Sequence, residues 1–252
     1  MTYQRHYFAD RPHSSAALAL VEFSCCRLLE RAPLFRLRAE YTKLIELRPA
    51  AGQLLDTFPK QCRYKIQRAE REGVACTDDV DFSDYFEFHR KFCQSKNRPA
   101  PARDFFLAHR EHLLISKAMR GADTLCMHAH LIDSQASRGR LFTSSSLFRQ
   151  QNDNAMRAMI GRANRLLHYW DMQQMAALAL RTYDFGGYAP QSGDPAQVGL
   201  NEFKDSFGGI LAQESTFVSL PLEMSRRLLS LSRRVRTRAI HGDKAGVEVQ
   251  PK

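Results

Sequence analysis

Two glycine pairs, each led by a phenylalanine, close the two ends of the stretch Tyr183 to Gly209: Phe185-Gly186-Gly187 and Phe207-Gly208-Gly209. This stretch limits the possible folds more than any other. Paired glycines are needed where the backbone bends sharply, or where another chain segment passes too close to leave room for a Cβ. Tyr183-Asp184-Phe185 ahead of the first pair reads as a short buried strand with such a bend at its end. A polar, proline-containing connection follows (Ala189 to Val198), then Gly199-Leu200-Asn201-Glu202-Phe203-Lys204. A carboxylate (Asp184) and an ammonium (Lys204) are therefore expected near the mouth of that strand. On spacing alone, the same residues also describe a glycine-rich hairpin with a solvated lysine.

The pattern Tyr183-Asp184-Phe185-Gly186-Gly187, Gly199-Leu200, Phe203-Lys204, Phe207-Gly208-Gly209 resembles the signature of Fem-type peptidoglycan bridge-forming transferases. A second segment, Arg63 to Val74 (RYKIQRAEREGV), is similar to a basic helix of the same family. The resemblance covers about a quarter of the chain. It implies the GNAT acyltransferase fold: a mixed, mainly antiparallel sheet flanked by helices, in the α/β (α+β) class. It also implies an enzyme that moves an aminoacyl group from charged tRNA to an amine, with the Phe203-Lys204 pair in its active site. Fem-type enzymes carry two such modules, whereas 252 residues suffice for one with N-terminal additions. A flexible lead (1–15), one domain (16–240) and a disordered tail (241–252) are expected.

Composition fits a globular chain, at 44% hydrophobic and 25% charged residues. A net charge of +10 favours a polyanionic partner, because Lys and Arg displace counterions from phosphates. Six cysteines without C-x-x-C spacing, and an N-terminus without an apolar leader, indicate reduced thiols in a cytoplasmic protein. No window is apolar enough for stable membrane insertion.

Along the chain, Ala16–Phe23 and Leu34–Leu47 read as strands, and Gln53–Glu72 as a helix that Pro59 kinks or restarts. Lys60, Arg63, Lys65 and Arg68 crowd that helix as candidate phosphate contacts. Asp81–Ser95 and Ala102–Met119 read as amphipathic helices. Leu125–Ile132 and Arg140–Phe148 pair as a hairpin through Asp133–Gly139. Its alternation puts His128 and His130 on one strand face. Two histidines begin a metal site, but no third ligand stands at compatible spacing, so the pair reads as structural and no metal is assigned. Asn154–Leu180 has the apolar period of a core helix, and the Tyr183 strand follows it as the return of a crossover. Ile210–Leu220 is the last strand. In the final helix, Met224–Ala239, Arg226, Arg227, Arg233 and Arg234 belong to a run of six arginines with no acid between, a candidate surface for nucleic acid or anionic lipid.

GNAT enzymes that use acyl-CoA carry a glycine-rich turn before the long helix, where bare amides hold the pyrophosphate. Here that turn is Arg149-Gln150-Gln151-Asn152-Asp153-Asn154, with no glycine and an added carboxylate. Aminoacyl transfer passes through an oxyanion and needs a fixed cation beside it. Lys204 is the candidate, with Asp184 as proton acceptor or as a cap of the turn. Tyr183, Phe185, Gly186, Gly187, Phe203, Phe207 and Gly208 are the candidate substrate contacts. No activated Ser or Cys nucleophile is present, so direct transfer without a bound cofactor is expected. The donor is aminoacyl-tRNA and the acceptor an amine on a small molecule, peptide or cell-envelope precursor. Two alternatives remain: an acyl-CoA or carrier-protein thioester donor, and a non-catalytic RNA-binding protein.

Overall fold

The structure is a computed structural model that describes residues 3–47 and 53–229. In chain order the strands are β1 (Gln4–Tyr7), β2 (Val21–Cys26), β3 (Phe35–Glu46), β4 (Val74–Thr77), β5 (Leu113–Arg120), β6 (Asp123–Asp133), β7 (Arg138–Ser146), β8 (Thr182–Tyr188) and β9 (Ile210–Ser219). The α-helices are α1 (Lys60–Arg71), α2 (Phe82–Ser95), α3 (Arg103–Leu107), α4 (Asn154–Ala177) and α5 (Pro195–Asp205). Residues 220–229 are also helical. The chain forms two compact units, Met1–Glu40 with Gln213–Lys252, and Tyr41–Ala212. The stretch 16–240, expected as one domain, contributes to both.

In the unit built from the chain ends, β1 pairs in parallel with β2, and β2 pairs antiparallel with β9. The lead expected to be loose therefore carries a strand. The strand expected at Ala16–Phe23 begins only at Val21, because Ser14–Ala16 form a single 3₁₀ turn. Phe23, Phe35 and Phe217 centre this unit's core.

In the larger unit the strands run β3-β8-β7-β6-β5-β4. Only β7 and β8 pair in parallel, through the crossover helix α4; the other neighbours are antiparallel. This is the mixed, mainly antiparallel sheet with flanking helices that was expected. Every residue of β6 from Leu125 to Leu131 is buried, as befits a strand covered on both faces. α1 begins immediately after Pro59, whose carbonyl accepts from the Cys62 and Arg63 amides. Ala102–Met119 is not one helix: α3 ends at Leu107, a 3₁₀ turn follows, and from Leu113 the chain is strand β5. Its Ser116 and Ala118 are buried while Lys117 is not, and it pairs on both edges, with β4 and β6. Sheet pairing here overrides helical propensity.

One glycine of the second pair is demanded by packing. Gly209 has φ +77°, and a Cβ there would lie 2.2 Å from the Leu44 carbonyl oxygen. Gly209→Ala is expected to cost more than the roughly 1–2 kcal/mol of a left-handed conformer alone, because backbone must also move. Gly161→Ala, inside α4 with nothing within 4 Å of its Cβ, is expected to stabilise by about 0.5–1 kcal/mol. Thermal melting of the two variants should shift in opposite directions.

None of the six cysteines forms a disulfide. Burial pushes the Cys26 thiol up to about 12 and the Cys62 thiol up to about 11.

Candidate active site

β8 delivers the site. Its Asp184 carboxylate has no accessible surface and is held from four sides. Arg138 Nη2 lies 2.5 Å and Arg140 Nη1 2.7 Å from Oδ2; the Gly186 amide donates to Oδ1 at 2.8 Å, and the Thr42 hydroxyl also donates to Oδ1. Burial alone would raise this carboxyl, but Arg140 and Arg138 outweigh it and hold it below the ordinary carboxylate range. A carboxylate so fully engaged is a fixed counter-charge and turn cap, not a base waiting for a proton. Arg138 and Arg140 share one face of β7, and the parallel register sets Arg140 opposite Asp184. Strand alternation makes the arginine pair visible in the sequence, but its partner is not.

Gly186 has φ +70° within β8; the strand ends at Tyr188 and the chain returns through α5. This helix starts with Asp194 accepting from the Ala196 amide and Pro195 in the first turn, a favourable N-terminal pair. The segment Gly199–Lys204 is thus helical, and Lys204 sits in the last turn with 5% of its surface exposed. Its Nζ donates to the Gly186 carbonyl at 3.2 Å and to the Gly187 carbonyl. An ammonium has three donors, so one remains for a ligand. Burial lowers the Lys204 pKa to about 8 against the opposing pull of Asp184, and Arg140 lowers it further.

Lys204 lines a cleft of about 750 Å³. Phe185, Gly186, Gly187 and Phe203 line it too, as the sequence indicated. Tyr183, Phe207 and Gly208 do not. Tyr183 is fully buried, its hydroxyl held by His130 and His168, and Phe207 packs in the core against Phe58, Phe185 and Phe203. Gly208 follows α5 with φ +78°. These three lie outside the lining of this cleft.

The cleft's charge was not legible beforehand. Lys96, Arg98, Arg149 and Arg165 join Lys204 in its lining, against the single carboxylate of Asp194. The Arg165 guanidinium lies 4.5 Å over the Phe203 ring, donates to the Gly161 carbonyl, and has a buried Nε without a hydrogen-bond partner. Burial lowers the Lys96 pKa, and Arg149 and Arg98 add to the effect. Uncompensated cations beside aromatic faces suit a phosphate-bearing, base-bearing ligand.

At the start of α4, Asp153 Oδ1 accepts from the Ala155 amide at 2.9 Å and Oδ2 from the Met156 amide at 3.3 Å. Two amides of the first turn of α4 are thus engaged, and Asp153 sets a carboxylate at the helix start.

Of the expected phosphate contacts on α1, Lys60 is exposed, Arg63 donates to the Asp56 carbonyl, and Arg68 pairs with Glu72. Lys65 has its pKa lowered first by nearby Arg165 and then by burial. Arg226 pairs with Glu22 at 2.7 Å and Arg227 with Glu223 at 3.2 Å. The expectation of arginines without opposing carboxylates fails for these two. Arg233 and Arg234 lie outside the described residues, as do most of Met224–Ala239 and the tail.

No family model and no curated protein sequence matches this chain. Among solved structures it is similar to FemX, with a TM-score of 0.57 and 13% identity over 75% of this chain and 63% of that one. The C-terminal domain of a putative lysylphosphatidylglycerol synthetase from Agrobacterium fabrum has a TM-score of 0.51 and 12% identity, over 86% of this chain and 73% of that one. The fold is Fem-like. L-PGS from Bacillus licheniformis adds a third likeness, with a TM-score of 0.51 and 13% identity over 81% and 70% of the two chains. Since the chain spans 63% of the FemX chain, the Fem-like fold observed here is the part that the two have in common. Among the described residues, no helix is long and apolar enough to cross a membrane.

Proposed function

We propose that this chain is an acyltransferase that moves an aminoacyl group from aminoacyl-tRNA onto the amine of a small molecule, peptide or cell-envelope precursor. The reading rests on one observation: the Lys204 ammonium is buried at the wall of the cleft, fixed by the Gly186 and Gly187 carbonyls, with one donor to spare. In the transfer, the amine attacks the ester carbonyl and its oxygen becomes an oxyanion. The C–N bond forms, the bond to the ribose oxygen breaks, the amine loses one proton and the departing oxygen gains one. A preorganised ammonium costs no reorganisation as that negative charge grows. Asp184 fixes the charge balance behind it. The cationic, phenylalanine-rich lining suits the terminal nucleotides of a charged tRNA, with Arg165 over Phe203 as the point where a phosphate or base would settle.

The same cleft supports an acyl-CoA donor less well, since the turn before α4 has no glycine and carries the Asp153 carboxylate at the helix start. The test is to supply charged tRNA and acyl-CoA separately, with an amine acceptor panel, and to follow amide formation by mass spectrometry. Product is expected from charged tRNA alone and should vanish after ribonuclease treatment. Product that persists with acyl-CoA under ribonuclease would overturn the tRNA reading. Steeply salt-dependent RNA binding with every donor left intact would favour a non-catalytic role.

A further inference from the structure

Beneath the cleft, His128 and His130 on β6 meet two residues that sequence spacing kept out of sight, His168 and Asp171 on α4. One ligand atom from each of the four lies within 4.8 Å of the others, and all four residues are buried. The premise that no third ligand accompanies the histidine pair is therefore corrected: a turn of α4 supplies both an imidazole and a carboxylate.

The hydrogen bonds around the cluster do not close by themselves. His128 Nε2 lies 2.8 Å from the Asn164 amide oxygen, and Nδ1 lies 2.6 Å from Asp171 Oδ2. With the ring's one proton on Nε2, Nδ1 turns a lone pair toward the carboxylate, and a second proton or a metal ion is then needed between the two. His130 Nε2 and His168 Nδ1 both approach the Tyr183 hydroxyl, at 2.9 and 2.5 Å. The hydroxyl donates to one of them and accepts from the N–H of the other. The second nitrogen of His130 is buried with no partner at all, although His130 Nε2 lies only 3.8 Å from Asp171 Oδ2. Asp171 Oδ1 is held by the Ser116 hydroxyl at 2.5 Å, and Asn164 and Tyr183 orient the rings. Such outer partners are what metal-binding imidazoles and carboxylates require.

We propose that His128, His130, His168 and Asp171 form a buried site for a divalent transition metal. Three imidazoles and one carboxylate suit zinc, whose ligand bonds of about 2.0–2.1 Å in a tetrahedron set the ligand atoms roughly 3.4 Å apart. Atoms already confined within 4.8 Å reach that spacing by small side-chain rotations. All four positions come from the protein, so the site is closed and its role structural: it ties α4 to the sheet under the residues that line the cleft. His168 lies in the cleft wall, which gives an ion its way in. This inference does not depend on the proposed reaction.

The decisive measurement is metal content of the full chain purified without chelator or metal-affinity resin, by plasma mass spectrometry. About one zinc per chain is expected. Added zinc should raise the Tm of chelator-stripped protein, and cobalt should give the visible absorption of a four-coordinate site. His130→Asn, which keeps polarity and approximate volume, should lose the metal and the zinc-dependent Tm shift; Ser83→Ala, at an exposed helix start, should keep both. Absence of metal together with a Tm indifferent to zinc overturns the proposal and leaves a protonated hydrogen-bond network. Retention of stoichiometric zinc by His130→Asn overturns it equally, because the ion then binds elsewhere.

Discussion

Lys204→Ala is expected to lower turnover by about 10²–10³-fold, the usual loss when one preorganised oxyanion donor is removed, with little change in donor binding. The pH profile tells which form of the side chain acts. As an ammonium with a pKa near 8, Lys204 should lose activity as pH rises through that value; a neutral amine serving as base would gain it instead. Stability should move the opposite way. The folded pKa is about 8 against an ordinary 10.5, so between these values the unfolded chain holds more protons and rising pH favours the fold. Lys204→Met, which cannot titrate, isolates this effect. Relative to that variant, the native chain should gain up to about 3 kcal/mol across the window. A difference between the two melting curves that ignores pH would sink the buried-ammonium description.

Asp184→Asn carries the second large effect, and it is on stability. Removing the charge takes the shared Asp184 carboxylate away from the Arg138 and Arg140 guanidiniums, whose side chains are 12% and 15% exposed. Breaking a buried pair in this way costs about 3–5 kcal/mol, a large share of the roughly 5–15 kcal/mol available to a folded domain. The native carboxyl is held low, so its contribution is present above the ordinary carboxylate range and disappears as pH falls through the depressed value. Denaturant unfolding at pH 7 should show the full loss, and the gap between native and variant should narrow in acid. Adding Arg138→Met should recover part of it. Asp184→Asn also removes the charge that supports the Lys204 ammonium, so the fall in activity with rising pH should begin earlier. A variant as stable as the native chain at neutral pH would show that the arginines have other partners.

Much of the fold could be read from local pattern, since the local pattern is what decides it there. The β6–β7 hairpin follows from two strand-prone stretches on either side of a polar turn. α4 follows from its apolar period and the Asp153 cap, which accepts the amide bonds its position implied. Gly209 is glycine because Leu44 passes beside it. Failures cluster where a distant segment decides. Leu113–Arg120 reads as helix until β4 and β6 are known to flank it. α5 is obscured by Gly199 in its middle, although Asp194-Pro195 at its start was an available signal. Of the site, Lys204 and the first glycine pair were legible from their motif. The arginines that neutralise Asp184, the cations across the cleft and the His168–Asp171 half of the buried cluster were not, because they belong to elements joined only by folding.

The thiols, none of them in a disulfide, have a practical use. Thiolate is the reactive form, and with Cys26 near 12 and Cys62 near 11 maleimide reagents at neutral pH should spare those sites in the intact chain. A reporter dye on one engineered cysteine at Ala196, exposed on α5 at the rim of the cleft, would then follow ligand arrival by fluorescence with the native Cys26 and Cys62 left in place.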